Sequence, residues 1–270
     1  MTADGLVRAG GTVAGGPVEA SGTVAGGLIE AVEDMSGAAA AGIAHLPDTA
    51  TSLVFRSAAD GREDLLVVGP RTRAAYFTGK ELPLCVHARL RPGVARSALG
   101  APISELLDRV VPLTEFWGAD ASRLERRLGD LGGDPRLIAR RLETALRSKA
   151  GAREHGGARR GDDDGRLVHA AARELASARP ARLPDLAHRL SVSERRLRDL
   201  FTDGAGLPPK AFARIARLNT AVTAGAGGLA ELAAASGYYD QAHMSAEFRS
   251  LLGVPPGAFF AGRLPAPRTC

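Results

Sequence analysis

The 270-residue sequence has few aromatic residues, few cysteines and no long apolar segment, and each shortage excludes a class of protein. Aromatic residues make up only 4%, so a core must be built mainly from leucine, valine and alanine. Two cysteines are too few for a disulfide framework or a cysteine-based zinc site. No apolar run approaches the roughly 20 residues of a membrane span, and the N-terminus does not resemble a signal peptide. These absences predict a cytoplasmic protein with no membrane partner.

The motifs of common enzyme classes are also missing. The sequence has no Walker loop, no GxGxxG after a strand, no GxSxG and no HExxH. Its six histidines do not fall at metal-ligand spacing with cysteine or carboxylate residues. We therefore expect no enzymatic activity, no metal site and no cofactor.

Positive charge exceeds negative charge, and the excess is clustered. The chain carries 35 Lys and Arg against 30 Asp and Glu, for a net charge of +5. Residues 186–217 hold seven of the basic residues and only three acidic ones. A clustered basic excess favours a polyanionic partner, and a solvated surface is the alternative interpretation.

Changes in composition divide the chain into five segments. Residues 1–35 contain a Gly- and Ala-rich repeat of period 11 with little to bury, which predicts a flexible tail. The alternative is that residues 24–33 form a helix or strand of the following domain. Residues 36–149 are expected to form a sensor or dimerisation domain. Residues 150–165 combine mixed charges with small residues, which is typical of a linker. Residues 166–263 have helical patterns throughout, and residues 264–270 are expected to form a second tail.

The second segment has strand patterns first and helical patterns afterwards, which predicts an α+β domain of short antiparallel strands followed by helices. Helical spacing of apolar residues appears around 103–110, 124–131 and 137–146. The strand patterns lie at 51–57, 64–69, 73–79 and 84–91.

The clearest signal in the sequence is an internal duplication. FTDGAGLPPKAFA, which begins at Phe201, aligns with FRSLLGVPPGAFF, which begins at Phe248, at an offset of 47. Upstream, LPDLA aligns with LAELA at an offset of 46, so the second copy gains one residue in its turn. Each copy reads as a helix-turn-helix unit, in which a short helix and a turn precede a second helix. The C-terminal segment is therefore predicted to be all-α, with seven short helices and two helix-turn-helix units.

These residues give the segment 166–263 a resemblance to the AraC/XylS family of bacterial transcription regulators. The matching stretches are LAHRLSVSERRLRDLF (186–201), GLPPKAFARIARLNTA (206–221) and LAAASGYYDQAHMSAEFRSLLGVPPGAFF (232–260). Residues 40–118 also resemble the N-terminal domain of an actinobacterial branch of this family, through Gly69-Pro70, RPG (91–93), ALGAPISEL (98–106) and FWG (116–118).

The resemblance implies a sequence-specific, double-stranded DNA-binding regulator. Its two helix-turn-helix units, joined by one rigid helix, would place two recognition helices in successive major grooves. The family further implies activation of transcription through contact with RNA polymerase. An enzymatic or covalent-sensor N-terminal domain attached to a DNA-binding module is the alternative, with Cys85 as its available nucleophile. A non-specific architectural DNA binder would lack the paired recognition helices.

The resemblance also assigns DNA contacts to positions in the two recognition helices. Asp199 departs from the family pattern, because a basic residue is common there; it either accepts from a base or pairs with Arg195 or Arg196. The second recognition helix carries short side chains that can make few contacts with bases. We therefore expect the first recognition helix to dominate sequence specificity. The base-reading positions are Arg195, Arg198, Asp199, Gln241, Ala242 and Ser245. Contacts to DNA phosphates position the protein on DNA but do not select a base sequence. Such contacts are expected from Arg196, Lys210, Arg214 and Arg249.

The N-terminal domain is expected to bind a small-molecule effector and to form a homodimer. Basic and polar side chains in its strands either line an anionic pocket or pair with nearby acidic residues. The side chains concerned are Arg56, Arg71, Tyr76, His87, Arg89 and Arg91.

Overall fold

A computed structural model describes most of the chain. Among the described residues, no helix is both long and apolar enough to cross a membrane. The ranges described are 12–14, 27–37, 43–78, 82–154, 159–177, 179–225 and 227–268. The strands are β1 (Thr12–Ala14), β2 (Ile29–Asp34), β3 (Ile43–His45), β4 (Ser52–Ser57), β5 (Glu63–Val68), β6 (Ala75–Phe77), β7 (Leu84–Leu90) and β8 (Val110–Pro112).

Eleven α-helices and one 3₁₀ turn (Ile103–Leu106) complete the described secondary structure. Four helices belong to the N-terminal part: α1 (Val94–Leu99), α2 (Thr114–Trp117), α3 (Ala119–Gly129) and α4 (Pro135–Glu154). Seven belong to the C-terminal part: α5 (Arg159–Leu175), α6 (Leu183–Arg189), α7 (Glu194–Ala205), α8 (Pro209–Ala224), α9 (Leu229–Ala235), α10 (Gln241–Leu252) and α11 (Pro256–Phe260).

The N-terminal part is built on a five-stranded antiparallel sheet with strand order β2-β7-β4-β5-β8. Along β7, Val86, Ala88 and Leu90 point into the core that α1, α3 and α4 cover. Trp117 is buried in this core, and its Nε1 donates to the carbonyl of Ala98 at 3.0 Å. The predicted α+β domain is confirmed.

The predicted flexible tail is wrong over its last residues. Ile29–Asp34 form the edge strand β2, which pairs with β7. The side chains of Ile29 and Val32 are buried, and the carboxylate of Glu143 on α4 accepts hydrogen bonds from the backbone N–H groups of Leu28 and Ile29. Pairing with a distant strand therefore orders a segment that has little local structural signal. Residues 1–11 and 15–26 lie outside the described residues.

Two further boundaries differ from the prediction. The helix expected around residues 103–110 is instead a short 3₁₀ turn followed by β8, which pairs with β5. The predicted linker 150–165 is helical wherever the structure describes it, because α4 continues to Glu154 and α5 begins at Arg159. Residues 155–158 lie outside the described residues.

A second, three-stranded sheet has the order β1-β3-β6. The C-terminal segment pairs with β6, the edge strand of this sheet. The N–H of Arg268 donates to the carbonyl of Tyr76 at 2.8 Å, and the N–H of Thr78 donates to the carbonyl of Arg268 at 3.0 Å. The predicted tail 264–270 is therefore paired with the sheet at Arg268, and Cys270 lies outside the described residues.

Four of the seven C-terminal helices form the two predicted helix-turn-helix units, α6–α7 and α9–α10. The helix α8 lies between the two units. Each unit has its own apolar core. Leu197, Phe201 and Phe212 are buried in the first, and Met244 and Phe248 are buried in the second. The prediction of an all-α C-terminal domain is thus confirmed.

Both units also rest on the N-terminal part. Asp203 on α7 forms an ion pair of 3.6 Å with Arg96 on α1. Gly206, which ends α7 at φ 79°, packs so closely that a Cβ would lie 2.8 Å from the Ile103 side chain. The carbonyl of Leu251 accepts from the N–H of Ala74 at 2.8 Å, which holds α10 against the sheet.

Candidate nucleic-acid interface

The turn of the first unit is built from three consecutive residues. Ser191 has a positive φ of 55°, which bends the chain after α6. The N–H of Val192 donates to the carbonyl of Ala187 at 3.0 Å. Ser193 then caps α7, since its Oγ accepts from the N–H of Arg196 at 3.2 Å. These contacts fix where the helix begins and which of its faces is turned outward.

The turn of the second unit repeats this arrangement with different residues. Gly237 has a φ of 76°, and the N–H of Tyr238 donates to the carbonyl of Ala233 at 2.9 Å. Asp240 caps α10, since its Oδ1 accepts from the N–H of His243 at 2.7 Å. The ring of Tyr238 is buried, in edge contact with His243 and beneath the Arg217 guanidinium. Both recognition helices are therefore fixed in the same way at their N-termini.

One face of α7 is buried and the opposite face is exposed. Leu197 and Phe201 are fully buried, and Phe201 makes an edge contact with Phe212 at 5.1 Å between ring centroids. The three predicted base-reading residues of this helix lie together on the exposed side: Arg195, Arg198 and Asp199. The side chain of Arg195 is 91% exposed.

Each arginine on α7 has an acidic partner. Arg195 lies 3.9 Å from the carboxylate of Asp199, and Arg198 pairs with Glu194 one turn earlier. The structure thus places Asp199 beside Arg195, one of the two alternatives for this departure from the family pattern. Exposed pairs of this kind contribute at most about 1 kcal/mol, so a stronger anionic partner can replace the carboxylates.

The remaining arginine of α7 points away from this face. Nη2 of Arg196 lies 2.9 Å from the carboxylate of Asp164 on α5. This contact links the recognition helix to the first helix of the C-terminal part. Arg196 would therefore have to leave Asp164 before it could contact a phosphate.

The exposed surface of α10 carries shorter side chains. Gln241 and Ala242 are exposed at its N-terminus, and Ser245 is half-buried one turn later. Met244 and Phe248 form the buried side of the helix.

The other predicted phosphate contacts have different environments. Lys210 is exposed in the first turn of α8. Arg214 is held between helices, because its Nε donates to the carboxylate of Glu247 on α10 at 2.9 Å. Arg249 is exposed and lines a groove between α10 and β6. Lys210 thus forms no ion pair within the described residues, whereas Arg214 already connects α8 to α10.

Sequence reasoning missed one exposed residue at this surface. Tyr239, which directly precedes the cap of α10, has a relative exposure of 93%, and the other exposed large apolar side chains of the described residues are Val110 and Leu137. The one available signal was the residue gained in the turn of the second copy. The duplication showed that a residue is inserted there but not which one.

A separate cavity of about 590 Å³ lies between the five-stranded sheet and β6. Of the six residues predicted to form an anionic pocket, Arg56, Arg71 and His87 line it. The others do not. Tyr76 donates from its hydroxyl to the carbonyl of Leu252 at 2.7 Å, Arg89 pairs with Asp48 and Glu30, and Arg91 lies outside the lining.

The guanidinium groups of this cavity differ in how they are compensated. Arg56 donates two hydrogen bonds to the Asp64 carboxylate, at 2.9 and 3.0 Å. Arg71 donates to the carbonyl of Leu46 at 3.3 Å and forms no ion pair within the part of the chain that is described. Burial lowers the pKa of Arg71, against the opposing charges of Asp48 and Asp108. A buried cation with incomplete compensation therefore faces the cavity.

The neutral groups of the cavity are also shifted by burial. Desolvation lowers the pKa values of His45 and His87 to about 4, so both imidazoles are uncharged at neutral pH. Burial raises the pKa of the Cys85 thiol to about 11. A thiol with this pKa is a poor nucleophile, which weakens the covalent-sensor alternative. Within the described ranges, no cluster of three or more His, Cys, Asp or Glu is arranged to hold a metal ion.

Residues 186–262 match the family model described as a helix-turn-helix domain, which is the AraC type. The resemblance found in the C-terminal signatures is thereby confirmed, whereas that of residues 40–118 stays a prediction. No curated protein sequence matches the chain.

Several solved structures are similar to all or part of the chain. The DNA-binding domain of AdpA, a global transcriptional factor in complex with a target DNA, is 22% identical, with 37% of this chain and 91% of that chain covered and a TM-score of 0.33. The C-terminal domain of AraT, a response regulator from Geobacillus stearothermophilus, is 20% identical over 38% and 88%, with a TM-score of 0.33. ToxT from Vibrio cholerae O395 is 11% identical over 85% and 95%, with a TM-score of 0.40.

Proposed function

We propose that this chain, with its AraC-type helix-turn-helix domain, is a sequence-specific, DNA-binding transcription regulator. The observation that carries the proposal is the presentation of two recognition helices by equivalent turns. α7 follows Ser191 and the Ser193 cap, and α10 follows Gly237 and the Asp240 cap. Each helix keeps an apolar side in its own core and turns a polar side outward, as a helix that enters a major groove must.

The spacing of the units suits successive grooves on one face of DNA. α8 has 16 residues and therefore spans about 24 Å at 1.5 Å per residue. Adjacent major grooves recur every ~34 Å, so units at the two ends of such a helix can reach both. Arg214, paired with Glu247, supports the second unit on α8. The operator would be one continuous, asymmetric site, because the two units are similar but not identical.

The chemistry of the two helices assigns them different roles. Arg195 and Arg198 can each donate two hydrogen bonds to guanine, and Gln241 can bridge the edge of adenine. Ala242 and Ser245 would contribute to base recognition by fitting closely against the base edges. Asp199 would contribute by pairing with Arg195. Lys210 and Arg249 would neutralise phosphates, as would Arg196 and Arg214 after release from Asp164 and Glu247.

Selection of bound sequences from a random DNA pool by the full chain, at near-physiological salt, tests this proposal. We expect an enriched motif with two short blocks about one helical turn apart. The matched control replaces Arg198 and Gln241 with Ala, which should degrade both blocks while the fold is retained. A pool with no enrichment, or the same motif from the control protein, would contradict the proposal.

Regulation by a small anionic effector is a second proposal, favoured by Arg71. A partly compensated guanidinium in a cavity with apolar walls suits a small organic carboxylate. Thermal unfolding of the full chain with a panel of carboxylates bearing apolar groups of increasing size tests it. A stabilising compound should lose its effect in Arg71→Gln and keep it in Arg62→Gln, whose side chain lies outside the cavity. An equal effect in both variants would refute the assignment to Arg71.

Residues 36–149 would act as the sensor and dimerisation domain, and transcription would be activated through contact with RNA polymerase. These two roles follow from the family resemblance of the C-terminal part. Sedimentation of the full chain tests dimer formation. A reporter gene placed downstream of the selected operator tests activation, and a fall in expression would instead identify a repressor.

A further inference from the structure

The extra residue of the second helix-turn-helix unit is Tyr239. Gly237 matches Ser191, since both have a positive φ after the first helix. Tyr238 matches Val192, since the N–H of each donates to the residue five positions earlier. The next matched pair is formed by the caps, Asp240 and Ser193. Tyr239 falls between two matched positions and has no counterpart in the first unit.

The fold of the unit does not require this residue. The first unit forms the same turn without it, with an equivalent cap and an equivalent buried stripe. The neighbouring Tyr238 fills the structural role, because its ring is 5% exposed and packs in the core of the second unit. Tyr239 leaves 93% of its surface in water, and within the described residues its ring and hydroxyl have no partner. Burial of an aromatic ring is favourable, so the exposure of Tyr239 is a cost in the isolated chain.

The position of Tyr239 is nevertheless fixed by its backbone. Its N–H donates to Nδ1 of His243 at 3.4 Å, and the following residue caps α10. The side chain therefore stands at the N-terminal end of the second recognition helix, next to Gln241 and Ala242. In helix-turn-helix proteins this end of the recognition helix approaches the bases. A side chain one step outside it meets the sugar–phosphate strand at the rim of the groove.

We propose that Tyr239 is a DNA-contacting residue specific to the second unit, which donates its hydroxyl to a backbone phosphate while its ring packs on the adjoining deoxyribose. The inference rests on the proposed DNA-binding function. Tyrosine is among the neutral side chains that bind phosphate oxygens. The exposed residues in the first turn of α10 are Gln241, Ala242 and His243, with no Lys or Arg among them, so a phosphate anchor there compensates for the lack of arginines such as those on α7. Tyr239 would thus position the second recognition helix on DNA without selecting particular bases.

Binding of Tyr239→Ala and Tyr239→Phe to the selected operator, with the full chain, tests this role. We expect Tyr239→Ala to weaken binding about tenfold, as for the loss of a hydrogen bond to a charged group together with the ring contact. Tyr239→Phe should lose only part of this affinity. Both losses should be the same for operators mutated in the second block, because a phosphate contact carries no sequence preference. Leu137→Ala, an exposed apolar residue on α4, serves as the matched control and should bind like the wild type.

Replacing single phosphates of the operator with uncharged methylphosphonates locates the contact. One substitution beside the second block should weaken the wild type but leave Tyr239→Ala and Tyr239→Phe unaffected. Tyr239→Ala that binds as tightly as the wild type would overturn the proposal, as would a loss confined to particular bases. A wild-type chain that selects no operator would instead overturn the DNA-binding function itself, so the two failures are distinguishable.

Discussion

Ser191 and Gly237 occupy the same position in the two helix-turn-helix units and share the same left-handed backbone conformation, with φ values of 55° and 76°. Glycine adopts this conformation freely, whereas a residue with a Cβ does so at a cost of roughly 1–2 kcal/mol. The first turn therefore holds strain that the second turn lacks. Asp108 is the other non-glycine residue of the described chain with a positive φ.

We expect Ser191→Gly to stabilise the protein by about 0.5–1 kcal/mol. Relief of the left-handed strain exceeds the additional entropy that glycine gives the unfolded chain. Ser191 is exposed, so no packing is lost. The midpoint of urea unfolding should rise in Ser191→Gly and fall in the reciprocal variant Gly237→Ser. Two variants that shift in the same direction would contradict this explanation.

Arg198→Ala and Lys210→Ala should weaken DNA binding in different ways. Loss of Arg198 should cost ~1–3 kcal/mol on the best operator and relax the preference at one base pair. Loss of Lys210 should weaken binding to all sequences and reduce the slope of log K against log salt by about one unit. Titrations of matched and mismatched operators at several salt concentrations separate the two. An equal loss on every sequence for Arg198→Ala would exclude it from base reading, and Arg140→Ala on α4 is the control.

Asp199→Asn should increase affinity for random-sequence DNA severalfold. The substitution keeps the size of the side chain, removes a negative charge from the exposed face of α7 and releases Arg195 from its ion pair. Affinity for the operator should rise by the same factor, so discrimination between operator and random DNA should stay unchanged, because the added affinity does not depend on sequence. Asp130→Asn makes the same change of charge just after the end of α3 and should leave binding unaltered. A loss of affinity confined to the operator in Asp199→Asn would instead mean that this carboxylate accepts from a base.

Stability should decrease below neutral pH through two half-buried histidines, His45 and His87. The pKa values of His45 and His87 are about 4 in the folded chain, whereas the unfolded value is about 6.5. The unfolded chain therefore binds more protons between these values, and stability is full above about pH 6.5 and falls as the pH drops towards 4. Protonation of His87 can lower the free energy of unfolding by at most about 3 kcal/mol.

Unfolding midpoints of the wild type and His87→Gln at pH 5 and pH 7.5 measure this contribution. Burial raises the pKa values of Glu30 and Glu33, which makes stability change in the opposite direction, so the difference between the two proteins isolates His87. We expect the wild type to lose more stability at pH 5 than the variant does. Equal losses would show that His87 is protonated or exposed in the folded chain.

The duplication predicted the fold of the C-terminal part because its signals are local. Phe201 and Phe248, the paired prolines and the caps Ser193 and Asp240 recur at fixed spacing, and each acts within its own unit. The exposed faces of α7 and α10 follow from the same periodicity. What the sequence did not supply was the partner of Arg196, since Asp164 lies 32 residues away.

The missed features depend on contacts between distant segments. Ile29–Asp34 are ordered by pairing with β7. The carboxylate of Glu143, 115 residues from Leu28, accepts a hydrogen bond from the backbone N–H of Leu28 at the start of this strand. The cavity was predicted only in part for the same reason. Alternation along β7 places Cys85, His87 and Arg89 on one face of the strand. Only tertiary packing decides that Arg89 pairs with Asp48 whereas Arg71 does not.

The pairing of Arg268 with β6 has a consequence for how the chain is made. Arg268 follows Phe77 by 268 − 77 = 191 residues. At roughly 5–20 residues per second of translation, β6 waits about 10–40 s on the ribosome before this partner is synthesised. During that interval the strand offers an unpaired edge, which is a known route to aggregation. Slow translation and chaperone supply should therefore influence the yield of this protein more than that of one whose sheets are completed in order.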